Sequence, residues 1–204
     1  MTKYFVACVA AVAIMFRVLP TLAQDGDTDP FVEPVRHFLD ARLAGWSDET
    51  DCSNLSLATM AVVTIGQIRL RRVGDEDKCA YATAFERRIT AMIGTAYDET
   101  RQTRPSGYAI HAIDTRRLGL SKSVCRGRSQ EQCTWYLVTA ELTGETSAEI
   151  QFRVFDSQKM GEWDIEDVYV GDVSLMMTLR SPLMGAFRDG GIEGAIGSLE
   201  NDAR

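Results

Sequence analysis

The side chains best suited to chemistry in this sequence are 5 cysteines, 2 histidines and a pair of carboxylates near strand-like segments. A structural zinc site needs closely spaced ligand pairs such as CxxC, and Cys52, Cys79, Cys125 and Cys133 form none. His37 and His111 stand in neither HExxH nor any other ligand-like spacing. His111 also alternates with the apolar Ile110 and Ala112, which places it on a surface face and not at a base position. No GxSxG elbow is present to expose a serine nucleophile. The run from Gly190 to Gly197 lacks GxGxxG spacing and follows a helical pattern, so it is not a phosphate-binding loop. Asp114 and Asp167 could each serve as the buried carboxylate of a small isomerase or dehydratase. A carboxylate at a strand end is more often a hydrogen-bonded structural group, and the expectation is a chain without catalytic residues, metal or cofactor.

The cysteines depend on the compartment for their meaning. Lys3, the apolar run from Tyr4 to Phe16 and the small residues around Ala23 read as a cleaved secretory leader over residues 1–23. Arg17 interrupts the run before it reaches the roughly twenty residues a spanning helix needs. Cys8 lies inside the run and not just after it, so no lipidation site follows. Export to an oxidising, periplasmic space allows disulfides. Nearness along the chain favours Cys52 with Cys79 and Cys125 with Cys133, although other pairings stay open and unpaired buried thiols are the alternative.

The elements that must position these groups fit one domain over residues 24–204, since 204 residues with 45% hydrophobic content can build one sizeable core. Loss of Lys3 and Arg17 with the leader takes 22 basic residues to 20 against 29 acidic, a net charge of about −9. Such a surface disfavours nucleic acid and tight binding to anionic membranes. Arg116, Arg117, Lys122, Arg126 and Arg128 crowd one connection, either as a solvated loop or as a contact for a partner or headgroup.

Asp29-Pro30 starts an amphipathic helix carrying Phe31, Val35, Phe38, Leu39 and Leu43, with Gly45 as its stop. Leu55 to Leu70 reads as a second, largely buried helix. A third runs from Cys79 to Tyr97, with Tyr81, Phe85, Ile89, Met92, Ile93 and Ala96 on one stripe. From Pro105 the period becomes two. Tyr108, Ile110 and Ala112, then Tyr136, Val138, Ala140 and Leu142, then Ala148, Ile150, Phe152 and Val154 each line one strand face. Trp163 and Ile165 begin a fourth strand that continues through Val168 and Val170. Short connections at Thr143–Thr146 and Asp156–Gly161 predict an α+β fold: a four-stranded antiparallel meander with helices on one face, forming a cone around an apolar pocket. Ser181-Pro182 opens a short helix ending at Gly190, and a last helix spans about Ile192 to Leu199.

The segment from Phe152 to Leu199 resembles the periplasmic phospholipid carriers of the lipid-asymmetry pathway, also called the toluene-tolerance family of ABC-transporter auxiliary proteins. Trp163-x-Ile165-x-Asp167-Val168 is similar to the family's W-x-I-x-D-V strand, followed in order by Val173-Ser174-Leu175, Arg180-Ser181 and Gly190-Gly191. Tyr81, Phe85 and Ile89 take the aromatic and leucine places of the family's F-x-x-x-F-x-x-x-L helix. The family's tryptophan-arginine pair before that helix is missing, and Asp172 stands where the family has glycine.

The resemblance implies a carrier that holds phospholipid acyl chains in an apolar pocket with the headgroup outward. Its partners would be an inner-membrane ABC transporter complex and an outer-membrane lipoprotein complex. Candidate pocket walls are Tyr108, Ile110, Tyr136, Val138, Ile150, Phe152, Val154, Trp163 and Ile165 from the sheet, facing Ile89 and Met92 from the helices. Without the resemblance such stripes read as ordinary core. A hopanoid or other polycyclic lipid is the alternative cargo, and a small pocket enzyme the alternative class.

Overall fold

A computed structural model describes residues 29–43, 52, 55–98, 105–117, 134–156 and 163–201 of the chain. Five strands form one open antiparallel sheet in the order β1 (Gly107–Arg117), β2 (Thr134–Thr143), β3 (Ala148–Asp156), β4 (Trp163–Val170) and β5 (Val173–Ser174). From β2 onward each strand neighbours its successor because connections this short cannot carry the chain across the sheet, whereas β1 pairs with β2 across the longer segment 118–133. The fold is the expected α+β meander with one correction: β5, a two-residue strand, returns antiparallel on β4 through the turn at Gly171. Gly171 has φ +57, the left-handed value a tight return requires. Two residues are too few for an alternating pattern, so periodicity could not show this strand.

Register puts Leu142 opposite Ala148, Ala140 opposite Ile150, Val138 opposite Phe152 and Tyr136 opposite Val154, which makes one continuous apolar face. Two bulges adjust it. In β4 an extra residue near Glu166 lets Ile165 meet Val154 while Val168 meets Phe152, so inward positions change parity without leaving the face. In β1 a bulge at His111 sets Ala112 opposite Thr139 and Ile113 opposite Val138. Ala112 therefore does not share the register of Tyr108 and Ile110, because one inserted residue inverts the alternation.

Helices α1 (Glu33–Leu43), α2 (Ala58–Ile65), α3 (Gln67–Leu70), α4 (Asp75–Tyr97) and α5 (Leu175–Asn201) complete the chain. The expected helix over Leu55–Leu70 is two, because Gly66 adopts φ +91 between α2 and α3. The third helix begins four residues before Cys79, with Asp75, Glu76 and Asp77 in a first turn whose exposed amides favour negative charge. Its buried stripe ends on Tyr97 and not Ala96, which is exposed. The two helices expected after Ser181 are present as the two halves of α5, divided by non-helical backbone, but the first half starts at Leu175 and not at Ser181. Pro182 lies in its interior, and the break comes at Gly190 and Gly191, the latter at φ +67. At the far end of α4, Tyr97 reaches the β2–β3 hairpin: its hydroxyl accepts from the Thr146 amide at 3.3 Å, and Thr146 Oγ1 donates to the Tyr97 carbonyl at 3.1 Å.

Cys52 and Cys79 are joined, with Cα atoms 5.6 Å apart, tying the segment before α2 to the first turns of α4. Cys125, Cys133, the leader, Gly45, most of the second hairpin connection and most of the basic connection lie outside the described residues. Among the described residues no helix is long and apolar enough to cross a membrane.

Candidate functional site

The helix-covered face of the sheet gathers most of the positions expected to line a pocket. Val138, Ile150, Phe152, Val154 and Ile165 are completely buried there, and Ile89 of α4 is buried in the same core. Met92, Tyr108, Ile110 and Trp163 are half-buried and pack against this core from its margin, and half-buried Tyr136 lies beside Trp163. The division follows register: central rungs of the sheet lie under the helices, whereas strand ends lie at the rim.

Helix α1 supplies much of the cover. Its apolar stripe buries Val35, Phe38 and Leu39, and the Phe38 ring meets Phe152 edge-on with centroids 5.8 Å apart. In the turn leading into α1, Phe31 stacks on Tyr136 at 3.9 Å and meets Trp163 edge-on at 5.8 Å. Tyr136 and Trp163 close the triangle at 5.3 Å. Tyr108 hydroxyl donates to Asp40 Oδ1 at 2.8 Å, fastening β1 to α1. Desolvation, with the Asp40 carboxylate beside it, pushes the Tyr108 hydroxyl up to about 12.

A buried ion pair between Arg42 of α1 and Glu86 of α4 was not foreseen from the sequence. Glu86 is fully buried, and its other oxygen accepts the Leu57 amide at 2.9 Å, at the buried N-terminus of α2. One carboxylate thus joins three helices. Burial raises its pKa despite these bonds, and burial also lowers that of Arg42, so removal from water outweighs the attraction for both partners. A signal for Glu86 existed. Ala82, Glu86, Ile89 and Ile93 fall at helical spacing, which sets a charge on the apolar stripe where only a partnered one belongs. Nearby, Tyr81 donates to the Ala61 carbonyl at 3.2 Å, and burial raises its pKa.

The catalytic candidates do not converge. Asp167 is buried but committed to the chain's own polar groups: Ser174 Oγ at 2.6 Å and the Val168 and Met176 amides at 2.8 and 3.2 Å. Arg153 stands 3.6 Å from its carboxylate and 3.0 Å from that of Glu166, on the sheet face away from the core. Asp114 pairs with Leu137 in register, on β1, which two intervening strands separate from Asp167 on β4. His111 is exposed and 3.9 Å from Glu149, and His37 Nδ1 lies 2.9 Å from Ser56 Oγ at the surface. Among the described residues no three metal-ligating side chains gather into a site.

A model of the family described as MlaC protein matches residues 53–201. Among solved structures, a phospholipid-binding protein from Ralstonia solanacearum in complex with a phospholipid is similar at 12% identity, over 86% of this chain and 97% of that one, with a TM-score of 0.49. A search of curated proteins returns no match.

Proposed function

This chain belongs to the MlaC protein family, and from that premise we propose that it is a periplasmic carrier of phospholipid, holding acyl chains against the helix-covered face of the sheet with the headgroup outward. The observation that carries this reading is the unbroken apolar face running through Val138, Ile150, Phe152, Val154 and Ile165, rimmed by Tyr108, Ile110, Tyr136 and Trp163 and roofed by Ile89 and Met92. Exposing an acyl chain of about sixteen carbons to water costs on the order of 12 kcal/mol at ~0.8 kcal/mol per CH₂, so transfer between membranes needs apolar walls. In this reading residues 1–23 are removed on export, and lipid passes between an inner-membrane ABC transporter complex and an outer-membrane lipoprotein complex. A pocket enzyme finds less support, because the bonds of Asp167 are already taken by its own helix and strand.

Protein purified from the periplasm without detergent and extracted into organic solvent tests the carrier reading. Phospholipid recovered in near-stoichiometric amount is the expected result. Recovery of a polycyclic lipid would transfer the site to that cargo, and recovery of no lipid, with none taken up from vesicles, would overturn the proposal.

A further inference from the structure

We infer that α1 is a displaceable plug, occupying the sheet face that an acyl chain must reach and leaving it when lipid enters; this rests on the carrier reading. Phe152 lies at the middle of that face, and Phe38 of α1 is packed against its ring. At the rim, Tyr136 and Trp163 are engaged by Phe31. Two apolar bodies cannot fill one space in an interior packed at crystal-like density, so lipid contact with Phe152 requires Phe38 to withdraw.

The rest of the roof is poorly placed to move instead. Helix α2 packs on α4, α5 and β4 together, and α4 packs on α5 as well. The Cys52–Cys79 bond pins the segment before α2 to α4, so displacement of the chain upstream stops at Cys52. Helix α1 lies upstream of that staple and packs chiefly on β4. Its polar ties include Tyr108 to Asp40 and His37 to Ser56 at the surface, and the buried pair of Arg42 with Glu86 at its last turn. The two surface ties exchange for water as the helix lifts, and Glu86 keeps the Leu57 amide when Arg42 leaves it, whereas the apolar stripe would be replaced on the sheet by hydrocarbon. Docked α1 and bound lipid then compete, and the apparent affinity for lipid falls with the fraction of molecules in which α1 is docked.

The experiment uses the full oxidised mature chain with Trp46→Phe and Trp135→Phe, which leaves Trp163 as its one tryptophan. It is incubated with phosphatidylcholine vesicles brominated on their acyl chains and then separated from them. Lipid retention is assayed chemically, Trp163 quenching reports acyl contact, and hydrogen exchange follows the helices. The expected result is retained lipid, quenched Trp163, and amides of 33–43 exchanging about tenfold faster or more while α2 and α4 keep their protection. Phe38→Ala should tighten apparent lipid binding about threefold or more. Retained lipid with α1 equally or better protected would overturn the plug and leave the carrier reading standing, as would Phe38→Ala protein that folds and binds no tighter. Absence of retained lipid would overturn the carrier reading and the plug with it.

Discussion

Ser174 Oγ donates to Asp167 Oδ2 at 2.6 Å, although the two residues stand on different strands. The other carboxylate oxygen accepts the Met176 amide at 3.2 Å, and Ser174 Oγ in turn accepts the Met177 amide at 3.0 Å. Together they cap the start of α5 and hold it against the edge of the sheet. The ordered motif Trp163-x-Ile165-x-Asp167-Val168 followed by Val173-Ser174-Leu175 thereby acquires a physical meaning: its two halves are the acceptor and donor of one cap.

Asp167→Ala should cost about 2 to 4 kcal/mol, because it strips the half-buried Ser174 hydroxyl and two amides of their acceptor. Ser174→Ala should cost about 1 kcal/mol, within the range of lost N-caps. The double variant should lose less than the sum of the two, since both remove the same bond. Urea unfolding measures all three, and an Asp167→Ala protein as stable as the parent would refute the capping role.

Glu86 and Arg42 predict an asymmetry. Arg42→Met leaves a buried carboxylate without its partner and should cost about 3 kcal/mol near neutral pH, whereas Glu86→Gln removes the buried charge and should cost clearly less. The pKa of Glu86 is raised in the folded state above its ordinary 4.5, so the native protein holds this proton more tightly than the unfolded chain. Its contribution is fully present below pH 4.5 and is lost as pH rises through the elevated folded value. The stability of the parent relative to Glu86→Gln should therefore increase as pH is lowered from 7 toward 4.5. A flat or opposite trend in unfolding midpoints would show that the ion pair dominates over burial.

Glycines of α5 should respond oppositely to alanine. At Gly194 a Cβ would come 2.5 Å from the Ala186 carbonyl oxygen across the kink, and Gly191 holds φ +67. Either substitution should cost about 1 to 3 kcal/mol. Gly185, in a regular turn with nothing within 4 Å of its missing Cβ, should gain about 0.4 to 1 kcal/mol. Thermal unfolding of the three variants checks the order, and equal responses would mean that the kink is not specified by its glycines.

What the sequence by itself determined is the class of fold and its apolar face. Period-two runs through β2 and β3 state which residues face the core, and hairpin-length connections leave a meander as the simplest pairing. The Cys52–Cys79 pairing was also favoured by nearness. Tertiary structure decided whatever depends on groups distant in sequence or on single-residue geometry. The bulge at His111 sets Ala112 opposite Thr139 and Ile113 opposite Val138, out of step with Tyr108 and Ile110, because one extra residue shifts the pairing register beyond it, and local composition carries no mark of it. Pro182 lies inside α5 because the helix is capped from another strand, by Asp167, seven residues before Ser174. Glu86 shows the same limit. Its spacing places a charge among apolar neighbours, but only the packing of three helices brings Arg42 and the Leu57 amide to that charge, and a buried carboxylate is tolerable only where such partners meet.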